Sequence, residues 1–272
     1  MGHAPFAYWL VGALRPRAIA ELGTHFGFSY FVLCEAVKRF GLQASVHALD
    51  TWGGDDHAGF YGDDVHDQVA KTTATDYSDV GTMLRCTFDE GLAHIEDGSL
   101  DLLHIDGRHG FDDVRHDFES WLPKLSERAV VIMHDVAAHR PGFGVWKYWE
   151  QLEEQYADTF KFDHSFGLGI VGVGSKPSSE LRSFFAAARA DGDAIRDWYA
   201  RAGGLISSRA EAHAKVRRAL DRSNAALDEV RVEASRLEKE RDAILGSTSW
   251  KISKPVRVVG SRLGRSKKKG NG

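Results

Sequence analysis

Two short blocks hold the residues best suited to chemistry. In Asp101-Leu102-Leu103-His104-Ile105-Asp106-Gly107-Arg108-His109-Gly110-Phe111, an apolar run delivers Asp106 to its end, a glycine follows, and His109 stands on the exit. In the second block, Val130-Val131-Ile132-Met133 runs into His134-Asp135. If both runs are neighbouring parallel strands, Asp106 meets the His134-Asp135 pair at a common edge. Two carboxylates and an imidazole converging there suit a divalent cation, with Asp106, His134 and Asp135 as ligands. Such a cation would lower the pKa of a bound hydroxyl while His109 takes the proton, so the chemistry is activation of a weak oxygen nucleophile. His104 alternates with the buried face and reads as structural. His116 and Asp117 read as a solvated or capping face.

A third block reads as a ligand cradle. Ala18-Ile19-Ala20-Glu21-Leu22-Gly23-Thr24-His25-Phe26-Gly27-Phe28-Ser29 takes a strand through Glu21 into a glycine turn, with an amphipathic helix starting near Ser29, its candidate cap. Glu21-x-Gly23-x-x-x-Gly27 is not the dinucleotide GxGxxG spacing. The next strand ends in Ala48-Leu49-Asp50-Thr51-Trp52, where an acid is placed to grip a ribose diol. Glu21, Gly23, Thr24, Gly27, Ser29, Asp50 and Asp106 are the expected cofactor contacts. Trp52 either flanks a base or simply packs.

These blocks need a framework of alternating elements. Strand-like runs recur at Ala18–Thr24, Ser45–Thr51, Thr82–Thr87, Leu100–Asp106 and Val130–Asp135. Amphipathic helices fall between or after them, at Tyr30–Phe40, Val65–Thr73, Val114–Leu122 and Val145–Tyr156. Phe160–Phe166 and Gly169–Gly174 read as a closing antiparallel hairpin with two residues between. The expected fold is α/β: a Rossmann-like, seven-stranded, mostly parallel doubly wound sheet with ligands at the strands' carboxyl ends, followed by a helical arm. Two loops could shape an acceptor pocket: the glycine- and aromatic-bearing segment 53–62, and Phe143-Gly144-Val145-Trp146.

The division expected along the chain is 1–202 for the α/β domain, 206–245 for a coiled-coil arm and 246–272 for a basic tail. Pro177–Ala202 reads as a closing helix that Gly203-Gly204 breaks. Leu220, Leu227 and Ala234 recur every seven residues, with Val216, Val230, Leu237 and Ile244 beside them and His213, Ser223 and Arg241 interrupting. A short imperfect coiled coil, which would make a homo-oligomer, competes with a single solvated helix. From Gly246 to Gly272 there are eight basic residues and no acidic one; with a net charge of −4 overall, the rest carries −12. Trp250, Ile252, Val256, Val258, Val259 and Leu263 interleave with those charges, a mixture suited to an anionic membrane surface. Nucleic acid is disfavoured because no recognition module accompanies the charge.

An apolar fraction of 43% excludes global disorder. With no 18-residue apolar run and no signal-like start, the reading is a cytoplasmic protein, peripheral at the inner face of the plasma membrane if the tail binds there. Cys34 and Cys86 read as reduced core thiols.

Taken together, Glu-Leu-Gly-Thr-His-Phe-Gly-Phe-Ser (21–29), Leu-Asp-Thr-Trp-Gly-Gly-Asp (49–55), His-Ile-Asp-Gly-Arg-His (104–109) and His-Asp (134–135) resemble class I S-adenosylmethionine-dependent methyltransferases of the Methyltransferase-24 type. These are similar to metal-dependent macrolide-sugar O-methyltransferases. The resemblance covers about residues 15–175. It implies S-adenosylmethionine on Glu21, Gly23 and Asp50, magnesium or manganese on Asp106 and Asp135, and His109 as base. The macrolide-sugar relatives carry an acidic pair where this chain has His134-Asp135. Residues 247–257 resemble a tail on bacterial polysaccharide-assembly glycosyltransferases, a clue to context. The expected activity is O-methylation of a sugar hydroxyl in a surface glycan or glycosylated metabolite. An assembly protein with a methyltransferase scaffold, and an oxidoreductase or hydroxylase on the same fold, are the alternatives.

Overall fold

The computed structural model describes residues 2–55 and 59–252. By contacts the chain divides into two units, Met1–Ser208 and Arg209–Gly272. The first unit opens with α1 (Ala4–Leu14), then β1 (Ala18–Leu22), α2 (Phe28–Arg39), β2 (Ser45–Asp50), a two-residue ribbon β3 (Gly54–Asp55) and β4 (Gly59–Phe60), and α3 (Asp63–Asp76). Next come β5 (Gly81–Arg85), α4 (Phe88–Gly91), β6 (Leu100–Ile105), α5 (Phe111–Trp121), β7 (Leu125–His134), α6 (Val145–Gln155), β8 (Thr159–Phe162) and β9 (Leu168–Gly172). Helix α7 (Ser179–Gly246) starts in the first unit, and α8 (Thr248–Ile252) lies in the second.

Seven strands form one sheet in the order β5-β2-β1-β6-β7-β9-β8, parallel except for β9, which runs antiparallel to both neighbours. The expected sheet is therefore present. Its connection at the far edge differs: β8 ends at Phe162 and β9 begins at Leu168, so residues 163–167 form the turn, with positive φ at Ser165, Phe166 and Gly167. The ribbon β3–β4 opens the loop expected to cover an acceptor, whose residues 56–58 lie outside those described.

Strand alternation sorts the side chains onto two faces. Ile19 of β1, Leu102 of β6 and Ile132 of β7 join the core under α1 and α2. Ala20, Leu103 and Val131 join the opposite core with α5 and α6. The same period puts Glu21, His104, Asp106 and His134 on the first face, above the hydrophobic rows. Helix α1 was not anticipated; it is apolar all round (APFAYWLVGAL), so no periodicity marks it, yet Phe6, Leu10, Val11 and Leu14 are fully buried.

The glycine pair does not break the last helix. Helical geometry departs at Asp191 (φ −152°, ψ 70°), and α7 continues through Gly203 and Gly204. Gly203 serves packing instead: a Cβ there would collide with the backbone of Gly2. Cys34 is buried and Cys86 half-buried, both free thiols. The described part of the second unit is helical, and its Val216, Leu220, Leu227, Val230, Leu237 and Ile244 are exposed. No helix among the described residues is long and apolar enough to cross a membrane. Residues 253–272, most of the expected tail, lie outside those described.

Candidate active site

A cavity of about 930 Å³ opens at the carboxyl ends of β1, β2, β6 and β7, near the upper end of sizes typical of small-molecule sites. One wall is the glycine turn after β1. Gly23 (φ +91°) lies so close to the carbonyl of Asp106 that any Cβ would overlap it, and its N–H donates to the Leu49 carbonyl at 2.9 Å. The glycine is thus required where three strand ends converge. Gly27 (φ +78°) caps α2, and Ser29 lies inside that helix without a capping hydrogen bond, contrary to the expected cap. Thr24 and Ser29 line the cavity.

Asp50 ties the turn down. Its Oδ2 accepts the N–H groups of Thr24 (2.9 Å) and His25 (2.8 Å), and its Oδ1 accepts that of Trp52 (2.7 Å). It also lines the cavity, so the carboxylate both shapes the cradle and borders the space above it. Trp52 is fully buried with φ +51°, donates from Nε1 to the His25 carbonyl at 3.0 Å, and is absent from the cavity lining; of its two readings, packing is the one observed. Glu21 is fully buried below the cavity, its Oε2 at 2.8 Å from His104 Nδ1 and its Oε1 without a hydrogen-bond partner. It sits under the floor and is not on the lining; His104 is the one of the pair that reaches the cavity.

The second wall carries the candidate chemistry. His134 Nδ1 lies 3.4 Å from Asp106 Oδ1 and 3.3 Å from Asp135 Oδ1, and His109 Nε2 lies 2.7 Å from Asp135 Oδ2. Asp135 reaches this position with φ +64°, in the left-handed region that Asp tolerates better than most side chains. The His109 ring stacks on Phe143 at 4.4 Å between centroids and 14° between planes. Burial alone would lower the His134 pKa, but the charge of Asp106 and hydrogen bonds with both carboxylates carry it up to about 10. Burial would raise Asp135, yet hydrogen bonds with His109 and His134 hold it well below the usual carboxylate range. Burial would likewise raise Asp106, and the charge of His134 with its hydrogen bond outweighs this, leaving it low.

Ligand atoms of Asp106, His134 and Asp135 lie within 4.8 Å of one another, the one such group among the described residues. Two ionised carboxylates around an imidazole form a donor set that fits a divalent ion, for which the proton of His134 is a stand-in charge. All three expected ligands and the expected base are therefore gathered in one place. Asp117 departs from its solvated reading: it is buried beneath the Gly107 turn, and burial, opposed by His116 and aided by Asp113 and Asp89, pushes its pKa up to about 7. His116 is exposed and pairs with Asp89 at 2.8 Å.

Sequence reasoning missed His3, His25, Arg140 and Phe166, which also line the cavity. Arg140 stacks over the ring of Phe166 at 4.4 Å. His3 belongs to a segment without periodicity, and the other three sit in loops whose course no pattern foretells.

Residues 20–136 match the Methyltransf_24 family model, described as a methyltransferase domain. Residues 20–136 are thus similar to a methyltransferase domain. The match runs from β1 to just past Asp135, and so spans the cradle and all three candidate metal ligands. A Sinorhizobium fredii protein, y4gI, described as uncharacterized, is 49% identical over 179 residues, 66% of this chain and 20% of that protein. The chain thus spans about a fifth of that relative's length. Among solved structures, the O-methyltransferase TomG of Streptomyces achromogenes, in complex with SAM, is 17% identical over 63% of this chain and 79% of its own, with a TM-score of 0.48. An O-methyltransferase of Bacillus cereus in complex with SAH is 17% identical over 62% of this chain and 80% of its own, with a TM-score of 0.46. The strand order described above, and not these distant likenesses, carries the fold.

Proposed function

We propose that the chain is an S-adenosylmethionine-dependent, metal-assisted O-methyltransferase acting on a sugar hydroxyl of a surface glycan or glycosylated metabolite. The observation that carries this reading is that the glycine cradle and the Asp106–His134–Asp135–His109 constellation line one cavity. The cradle, pinned by Asp50, supplies backbone positions for the cofactor at Gly23, Thr24 and Ser29. Asp106, His134 and Asp135 would hold the metal, which as a Lewis acid makes an acceptor hydroxyl more acidic. Asp135 Oδ2, 2.7 Å from His109 Nε2, would orient the imidazole and stabilise it once it has taken the hydroxyl proton. Phe143 holds that imidazole flat by stacking. The second unit is read as a coiled-coil arm, and the basic tail as a contact with anionic membrane.

The test is the initial rate of labelled methyl transfer from S-adenosylmethionine into cell-envelope glycan fractions, with and without chelator. Loss of transfer in chelator and its return with magnesium or manganese is expected. Full activity in excess chelator would remove the metal from the reading and leave His109 as a base acting without one.

A further inference from the structure

His3 occupies an unusual position. Its carbonyl accepts the Ala7 N–H at 3.0 Å and so starts α1, whose buried Phe6 and Leu10 fix the segment in the core. Gly203 of α7 packs on the Gly2 backbone, and His164 Nε2 lies 3.3 Å from the Gly2 carbonyl. The backbone around His3 is therefore held by α1, α7 and His164. His3 is 9% exposed and lines the cavity, its ring centroid 5.6 Å from that of His134 and 4.4 Å from that of His164.

Both ring nitrogens of His3 are buried and neither has a partner at full hydrogen-bond geometry, although the Ser165 backbone acts on the ring as a weak hydrogen-bond partner. A buried imidazole without a well-formed hydrogen bond is costly, and such a group at a cavity wall is what a ligand would complete. His3 is not part of the metal-capable group, which comprises Asp106, His134 and Asp135 alone among the described residues. Along the wall the contacts run from His109 to Asp135, to His134, to His3. A hydroxyl reacting at His109 thus has a second hydrogen-bonding group set one imidazole away.

We infer that His3 is a specificity-determining residue of the acceptor site, bonding a second hydroxyl of a polyhydroxylated acceptor. This rests on the O-methyltransferase reading above. An acceptor with a single hydroxyl would leave the ring unsatisfied, so diols and sugars are selected over simple alcohols.

The test compares the full-length wild-type chain with His3→Leu and His3→Gln. In His3→Leu, S-adenosylhomocysteine affinity by calorimetry should stay unchanged. Its melting temperature should rise, because an unsatisfied polar group has been removed from the interior. The KM for the cell-envelope glycan fraction should rise about tenfold or more, the scale of one lost hydrogen bond, with kcat less affected. His3→Gln, which keeps a donor and an acceptor, should recover much of that KM. A lowered melting temperature in His3→Leu, or a KM equal to the wild-type value, overturns the inference. Absence of transfer by the wild-type chain instead defeats the O-methyl reading on which it rests.

Discussion

His109, Asp135, His134 and Asp106 form a chain of alternating imidazoles and carboxylates, and each member has a separable effect. His109→Ala removes the proposed base and should lower turnover by ~10²–10⁴-fold, the usual contribution of a positioned proton acceptor. Cofactor affinity should hardly change in that variant; calorimetric loss of cofactor binding with normal turnover at saturation would reverse the assignment. Asp50 acts on the other wall. Because it accepts three backbone N–H groups of the cradle, Asp50→Ala should weaken S-adenosylmethionine binding by ~1.5–3 kcal/mol. It should also lower the unfolding free energy, since those amides lose a charged acceptor. Unchanged affinity in a folded Asp50→Ala protein would show that the cradle keeps its shape without this carboxylate.

At the scale of elements, the sheet presents the site by register. Glu21 pairs with His104 across β1 and β6, and His104 with Ile132 across β6 and β7, so that Asp106 and His134 emerge together one period later. Helix α5 adds a pH-sensitive brace below the 106–110 turn through Asp117. Its folded pKa, raised by burial to about 7, lies above the ordinary carboxylate value of about 3.9. The folded state therefore keeps a proton that the unfolded chain has released. The stability from this group is complete below pH ~4 and is lost as pH rises through about 7. Asp117→Asn, which stays neutral, should flatten the pH dependence of unfolding and gain about 1–3 kcal/mol at pH 8. Denaturant unfolding at pH 5 and pH 8 measures this, and an equal pH slope in both proteins would count against it. Much of the element scale was legible in the sequence, because the apolar runs ending at Glu21-Leu22, Asp50, Asp106 and His134 carry period and chemistry together. What was not legible depended on tertiary contact. Asp117 looks solvated on a helix that begins with Asp112 and Asp113, Ser29 looks like a cap although Gly27 already turns the chain, and Gly203 looks like a breaker although it packs on Gly2.

For the molecule as a whole, the sequence polarity and the division into two units point the same way: chemistry in Met1–Ser208, basic charge beyond it. Truncation after Ser208 should leave a folded protein that binds S-adenosylmethionine, while association with anionic liposomes is lost. Binding of the full chain should weaken with salt, since exposed charges are screened within about 8 Å at physiological ionic strength. Equal binding to neutral and anionic liposomes would refute a membrane role for the tail, and aggregation of the truncated protein would mean that the second unit covers part of the core. The proposed reaction of the first unit joins a methyl group to a sugar oxygen. It is tested by incubation of the full chain with methyl-labelled S-adenosylmethionine and cell-envelope glycans, followed by mapping of the label. Label is expected in a base-stable methyl ether on a sugar that retains a neighbouring free hydroxyl. Cofactor binding without any transfer, or label on nitrogen, carbon or a carboxylate ester, would contradict it.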